Sequence, residues 1–114
     1  MQNISVIIPI HSTDNKTVEY VKKAFDSANS KVEEILFVCT PQSIDEIKNN
    51  FEKEASESTS KVQFILNEGE SDFCSQFNFG IKNASCEYVS LLELDDFYSL
   101  TYFDLIKQHM DYHK

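Results

Sequence analysis

The chain has 114 residues, of which 41% are hydrophobic, and it carries nine Phe, five Tyr and a net charge of −9. This composition predicts one globular domain, spanning residues 1–114, with an apolar core, and it excludes a disordered chain. Because the charge is strongly negative and arginine is absent, nucleic-acid binding, which depends on cationic contacts to phosphate, is not expected.

The cysteine pattern and the apolar runs indicate where the protein acts. Cys39, Cys74 and Cys86 are odd in number and no pair has CxxC spacing, so we expect free thiols in a reducing compartment. No signal peptide is recognisable, and no apolar run approaches the roughly 20 residues that span a bilayer. We therefore expect a cytoplasmic protein without a membrane span in this chain.

Strand-like and helix-like patterns alternate four times along the chain. Short apolar runs predict buried strands at residues 4–10, 34–39, 62–66 and 87–92. Apolar residues recur at helical spacing after each strand: Val18, Val21, Phe25 and Ala28; Ile44, Ile47, Phe51 and Ala55; Phe73, Phe77, Ile81 and Ala84; and, after Ser99, Leu100, Phe103, Ile106 and Met110. The order βαβαβαβα predicts an α/β fold, with a mostly parallel sheet and helices on both faces.

Local signals refine the ends of these helices. Ser43 and Glu46 have the spacing of a capping box at the start of the second helix. Either Ser71 or Asp72 can cap the third helix. The Ser/Thr-rich residues 55–61 predict a loop after the second helix.

An apolar run at residues 87–92 ends abruptly in the carboxylates of Glu93, Asp95 and Asp96. Side chains alternate faces along a strand, so Glu93 and Asp95 point the same way if the extended backbone continues. Paired carboxylates at a strand's carboxyl end suit a hard divalent cation, Mg²⁺ or Mn²⁺. The alternative is a polar strand end that turns into solvent.

The carboxyl ends of parallel strands meet at one edge of a sheet, where α/β proteins usually bind ligands. The residues expected at that edge are His11, then Cys39 and Thr40, then Asn67 and Glu68, then residues 93–96. The sequence therefore predicts that the carboxylates belong to a cleft.

Two parts of the chain resemble the family-2 glycosyltransferases of the GT-A fold. Residues 4–10 are similar to that family's first strand. The later similarity lies at Asn67, Gly69, Ser71, residues 78–81, Ala84, residues 87–89 and residues 92–96. The resemblance covers nearly all of this chain, but it corresponds to the N-terminal, nucleotide-sugar-binding half of the family, a partial GT-A domain.

The resemblance implies a donor domain that binds a nucleotide-diphospho-sugar, with a UDP-sugar as the expected donor, through Mg²⁺ or Mn²⁺. Asp95 and Glu93 match the metal-binding positions. The positions that match the nucleotide-sugar site are Pro9, His11, Thr40, Asn67, Asn78, Glu93 and Asp96. No catalytic base is identifiable among the 114 residues, and we expect it beyond the chain end.

The chain departs from the family pattern at three places. Residues 39–43 replace the acidic residues and Gly-Ser that commonly follow the second strand, Phe77 replaces the usual arginine before Asn78, and Glu93 replaces aspartate. The missing acidic residues after the second strand, together with the resemblance to only half of the family, motivate an alternative function: a non-catalytic, glycosyltransferase-like binding or interaction module. An uncovered sheet edge would also favour a homo-oligomer.

Several of these residues also have plain structural explanations. Asn67 and Gly69 form a turn signal, and Gly80 can be a packing glycine. Cys39 can be a small buried residue. His109 and His113 are one helical turn apart, but without a third ligand a solvated helix end is favoured over a metal site.

Overall fold

The computed structural model describes residues 2–10 and 14–92, in which four strands alternate with three helices. In chain order they are β1 (Gln2–Pro9), α1 (Asn15–Ala28), β2 (Val32–Cys39), α2 (Ile44–Glu57), β3 (Lys61–Leu66), α3 (Phe73–Asn83) and β4 (Tyr88–Leu91). The α/β prediction is confirmed. The helix expected after Ser99 lies outside the described residues. No helix in the described ranges is both long and apolar enough to cross a bilayer.

The four strands form one parallel sheet in the order β3-β2-β1-β4. From β1 to β3 the chain steps in one direction, and the crossover to β4 then reverses it. Because such crossovers are right-handed, α1 and α2 cover one face of the sheet and α3 covers the other. This Rossmann-like arrangement agrees with the GT-A fold that the resemblance implied, and its direction reverses between β1 and β4.

The face under α1 and α2 carries the larger core, which is built around stacked phenylalanines. The Phe37 ring centroid lies 5.8 Å from Phe25, 5.4 Å from Phe51 and 5.1 Å from Phe64. Such pairs each contribute about 0.5–1.5 kcal/mol beyond the burial of their area. They fix both helices against the centre of the sheet.

The opposite face is packed by α3 against Ile7, Leu36 and Val38. Phe77 joins this smaller core as predicted, but Ile81 is 41% exposed, so its predicted burial is wrong. The face of α3 that meets the sheet runs through Gly80, and Ile81 lies about 100° around the helix from that line.

Two predictions about the ends of α2 need correction, one on where the helix stops and one on how it is capped. Residues 55–57 belong to α2, which ends at Glu57, so the loop expected at residues 55–61 is shorter. The capping box at Ser43 does not form, because its hydroxyl bonds to Thr40 and makes no cap hydrogen bond to α2. At α3 the cap is Asp72, whose carboxylate accepts from the Ser75 amide at 3.1 Å.

Glu34 of β2 is a buried carboxylate that was not predicted from the sequence, and it bonds residues from several segments near the amino edge of the sheet. Glu34 is 1% exposed. Its oxygens accept from the Ser5 hydroxyl at 2.7 Å, from the Ser85 amide and hydroxyl at 2.9 Å each, and from Gln63 Nε2 at 3.0 Å. Burial acts to raise the pKa of Glu34, but the hydrogen bonds from Ser85, Ser5 and Gln63 outweigh it and hold the pKa below its ordinary value.

Candidate functional site

The carboxyl ends of β1 and β4 mark the point where the strand order reverses, the usual ligand crevice of a doubly wound sheet. The Leu92 amide donates to the Ile7 carbonyl at 2.9 Å. In a parallel ladder the next bond from β1 to β4 would come from the amide of residue 9, which is Pro9 and has none. Pro9 therefore gives no amide bond to β4 after this rung, and residue 93 is the next residue of the chain.

Four of the predicted site residues, His11, Glu93, Asp95 and Asp96, lie outside the described residues. Their roles therefore stay predictions. Among residues 2–10 and 14–92, no group of three His, Cys, Asp or Glu side chains could hold a metal ion.

The ladder between β1 and β2 also opens at this edge. The Ile10 amide donates to the Val38 carbonyl at 2.9 Å, so the next rung would join the Thr40 amide to the Ile10 carbonyl. Instead the Thr40 amide donates to Ser43 Oγ at 3.0 Å, and the Ile10 carbonyl accepts from Gln76 Nε2 at 3.1 Å. Two side chains thus replace one backbone hydrogen bond.

Gln76 is fully buried beneath the ends of β1 and β2. Its Nε2 lies 3.1 Å from the Ile10 carbonyl and 3.3 Å from the Val38 carbonyl. Since both partners are acceptors, they require the amide nitrogen to face them, which fixes the orientation of the amide. Its Oε1 then points elsewhere, and within residues 2–10 and 14–92 this buried oxygen has no hydrogen-bond partner. Such an orphaned acceptor costs about 1–3 kcal/mol.

Thr40 lies at the end of β2, as predicted, with 4% of its surface exposed. Its hydroxyl is 3.0 Å from Ser43 Oγ, and its carbonyl accepts from the amides of Ser43 and Ile44 at 3.1 Å each. These bonds close the turn between β2 and α2. Thr40 therefore shapes the edge, and a direct contact to a nucleotide stays a prediction.

Asn67 lies at the end of β3 and fixes the loop that follows. It is 6% exposed, and its amide donates to the Cys39 carbonyl at 2.9 Å. Its Oδ1 accepts from the Gly69 amide at 3.0 Å, and its Nδ2 donates to the Glu70 carbonyl at 2.9 Å. The turn interpretation is confirmed, whereas donor binding by Asn67 stays a prediction.

Cys39 is a buried core residue rather than a reactive one. Burial raises the pKa of its thiol to about 12, and the Sγ atom lies 3.7 Å from the Phe37 carbonyl. A neutral thiol is a poor nucleophile and a poor metal ligand. The expectation of a small buried residue is confirmed.

The remaining predicted residues differ in exposure. Pro9 is buried within β1, while Asn78 is exposed on α3. The structure brings Pro9, Thr40 and Asn67 to one edge at the ends of β1, β2 and β3. The loop after β3 adds exposed carboxylates at Glu68 and Glu70, so this part of the edge is acidic.

Comparison with known families identifies the relatives of this chain. The sequence model described as Glycosyl transferase family 2 matches residues 5–113. A search of curated proteins found no match.

Proposed function

The chain belongs to glycosyl transferase family 2, and from that premise we propose that it is a donor-binding domain for a nucleotide-diphospho-sugar, with a UDP-sugar as the first candidate. The observation that carries the proposal is the reversal of strand order between β1 and β4. The acidic run at residues 93–96 begins two residues after the last residue of β4, and ligands of such sheets bind in the crevice at the reversal.

Electrostatics support a cation as part of this site. A diphosphate is strongly anionic, whereas the chain carries a net charge of −9 and no arginine. The loop after β3 adds the exposed carboxylates of Glu68 and Glu70. Mg²⁺ or Mn²⁺ held by protein carboxylates would offset this repulsion.

The chemistry of the predicted donor set fits such a cation. Asp95 and Glu93 would supply hard carboxylate oxygens, which Mg²⁺ and Mn²⁺ prefer. When bound, the cation supplies charge neutralisation for a diphosphate leaving group.

The protein's own residues would orient the donor. Pro9 and His11 would border the nucleotide, together with Thr40 and the loop shaped by Asn67. Asp96 would lie near the donor sugar. The sugar would pass to an acceptor hydroxyl with help from a base that none of the assigned residues supplies.

Calorimetry tests the proposal directly. The chain is titrated with UDP, UDP-sugars and GDP-sugars in Mn²⁺ and again in EDTA, and we expect binding of at least one nucleotide in Mn²⁺ alone. Asp95→Asn should abolish that binding. The matched control is Asp26→Asn, which removes an exposed carboxylate that pairs with Lys22 at 3.0 Å on α1. A folded chain that binds no nucleotide would contradict the proposal and favour a non-catalytic module.

A further inference from the structure

We propose that Gln76 and Ser43 are positioning residues that hold the carboxyl ends of β1 and β2 apart at the mouth of the crevice. The inference rests on the proposed function, because it assigns these residues to the donor site. Neither residue touches the reacting groups. They act through Ile10 and Thr40, whose backbones leave the sheet at this edge.

The hydrogen bond that is missing between the Thr40 amide and the Ile10 carbonyl is not a sign of a frayed strand end. At a frayed end, water would take over the separated amide and carbonyl. Here the Thr40 amide is bonded by Ser43, which is 1% exposed, and the Ile10 carbonyl is bonded by Gln76, which is fully buried. Both backbone groups therefore have dry, fixed partners supplied by two different segments of the chain.

The Ser43 hydroxyl bonds the Thr40 amide and does not cap its own helix, α2. It precedes α2 at the N-cap position, yet its hydroxyl makes no cap hydrogen bond. The Ser43 Oγ atom instead lies 3.0 Å from the Thr40 amide and 3.4 Å from the Thr40 carbonyl. An ordinary N-cap serine would bond forward into the helix, so this serine holds the turn after β2 instead.

Gln76 shows the same departure from ordinary packing. It is fully buried on α3 with its Nε2 against the ends of β1 and β2, and in the part of the chain that the structure describes its Oε1 has no hydrogen-bond partner. An orphaned acceptor of this kind calls for an explanation in a folded protein. The bond from Nε2 to the Ile10 carbonyl supplies one, since it holds the Ile10 carbonyl in place just after the end of β1.

The consequence is a fixed separation of two chain segments at the proposed donor site. Pro9 and His11 flank Ile10, and Thr40 begins the segment after β2. A displacement of about 1 Å at groups that orient a ligand can weaken a site strongly. Loss of either side-chain bond should therefore reduce donor binding more than its effect on folding accounts for.

The test uses two variants with matched controls at the opposite edge of the sheet. Gln76→Met removes the amide that bonds the Ile10 carbonyl and keeps a similar side-chain length. Its control is Gln63→Met, which removes an amide that bonds Glu34. Ser43→Ala removes the hydroxyl at the carboxyl edge. Ser60→Ala removes a buried hydroxyl that bonds the Val32 carbonyl at 2.6 Å near the amino edge.

Two measurements are made on the full chain under conditions where every variant is folded. The first is hydrogen exchange at the amides of Ile10 and Thr40, which needs no ligand. We expect faster exchange at these amides in Gln76→Met and Ser43→Ala, but not in either control. The second is the dissociation constant for UDP in Mn²⁺, which should rise about tenfold or more in these two variants and stay within about twofold of wild type in the controls.

The outcomes separate this inference from the proposed function. Faster exchange at Ile10 and Thr40 together with weaker UDP binding supports it. Wild-type exchange and UDP affinity in Gln76→Met, or changes equal to those of Gln63→Met, would overturn it while the wild-type chain still binds UDP. Failure of the wild-type chain to bind any nucleotide would instead overturn the proposed function, and local exchange would then decide whether the two residues hold the strand ends.

Discussion

Gly80 of α3 lies directly against Ile7 of β1, so closely that a Cβ atom on residue 80 would be 2.6 Å from Ile7 Cγ2. Ile7 is fully buried, which leaves it no space to move away. The absence of a side chain at residue 80 therefore sets the distance between α3 and the sheet.

We expect Gly80→Ala to destabilise the protein, although glycine-to-alanine changes inside helices usually stabilise by about 1 kcal/mol. Overpacking against Ile7 should outweigh that gain and leave a net loss of about 1–2 kcal/mol in urea denaturation. In an Ile7→Ala background, which removes the clashing Cγ2, the same change should cost less. Equal or higher stability of Gly80→Ala alone would contradict the close approach of α3 to β1.

The buried carboxylate of Glu34 predicts acid sensitivity. Its pKa in the folded state is lowered from an ordinary value of 4.5, so its stabilisation is present above that value and is lost as pH falls through the folded-state pKa. We expect the free energy of unfolding to decrease with acidification below about pH 4.5.

Glu34→Gln should remove that part of the acid dependence and lower stability by about 2 kcal/mol or more, because it weakens several charge-assisted hydrogen bonds. The neighbouring Glu33→Gln is the control, since Glu33 is exposed on the same strand. If both variants show the same pH profile, the low pKa of Glu34 does not govern acid stability.

Ser30 adopts a left-handed backbone with φ of 64°, which strains a residue that has a Cβ atom. Ser30→Gly should therefore stabilise the protein by about 0.5–1 kcal/mol, measured by urea denaturation. Ser56→Gly, in the helical conformation of α2, should destabilise by about 0.5 kcal/mol. Two changes of the same sign would argue against strain at Ser30.

The three thiols should react in a fixed order with iodoacetamide at neutral pH. Cys74 is exposed, Cys86 is half-buried, and Cys39 is buried with a pKa raised to about 12. Mass spectrometry should find Cys74 modified first, Cys86 more slowly, and Cys39 after denaturation. Modification of native Cys39 at the rate of Cys74 would mean that the end of β2 opens readily.

The strands and helices could be predicted from the sequence because the spacing of apolar residues follows the geometry of each element. The apolar runs of β1 and β2 and the helical spacing of Val21 and Phe25 are set by burial on one face. Where the prediction was wrong, tertiary contacts decided. Ser43 bonds back to Thr40 instead of capping α2, and Ile81 turns away from the sheet because α3 docks through Gly80.

The sheet edge at which the candidate residues gather was predicted, but the residues that support it were not. Strand order brings Pro9, Thr40 and Asn67 to one edge, as expected from a parallel sheet. Gln76 and Glu34 were missed because a polar side chain is informative only once its partners are known. Those partners lie far away in sequence, with Ile10 separated from Gln76 by 66 residues and Ser85 from Glu34 by 51.

The hydrogen bonds around Glu34 also select one alignment of β4 beside β1. Ser85 precedes β4, and both its amide and its hydroxyl must reach the same carboxylate. If β4 slipped by one or two residues, Ser85 would move away and leave a buried negative charge short of donors, a strongly unfavourable state. Glu34, at the amino edge of the sheet, thus helps to determine that Leu91 of β4 lies opposite Ile7 of β1 near the carboxyl edge.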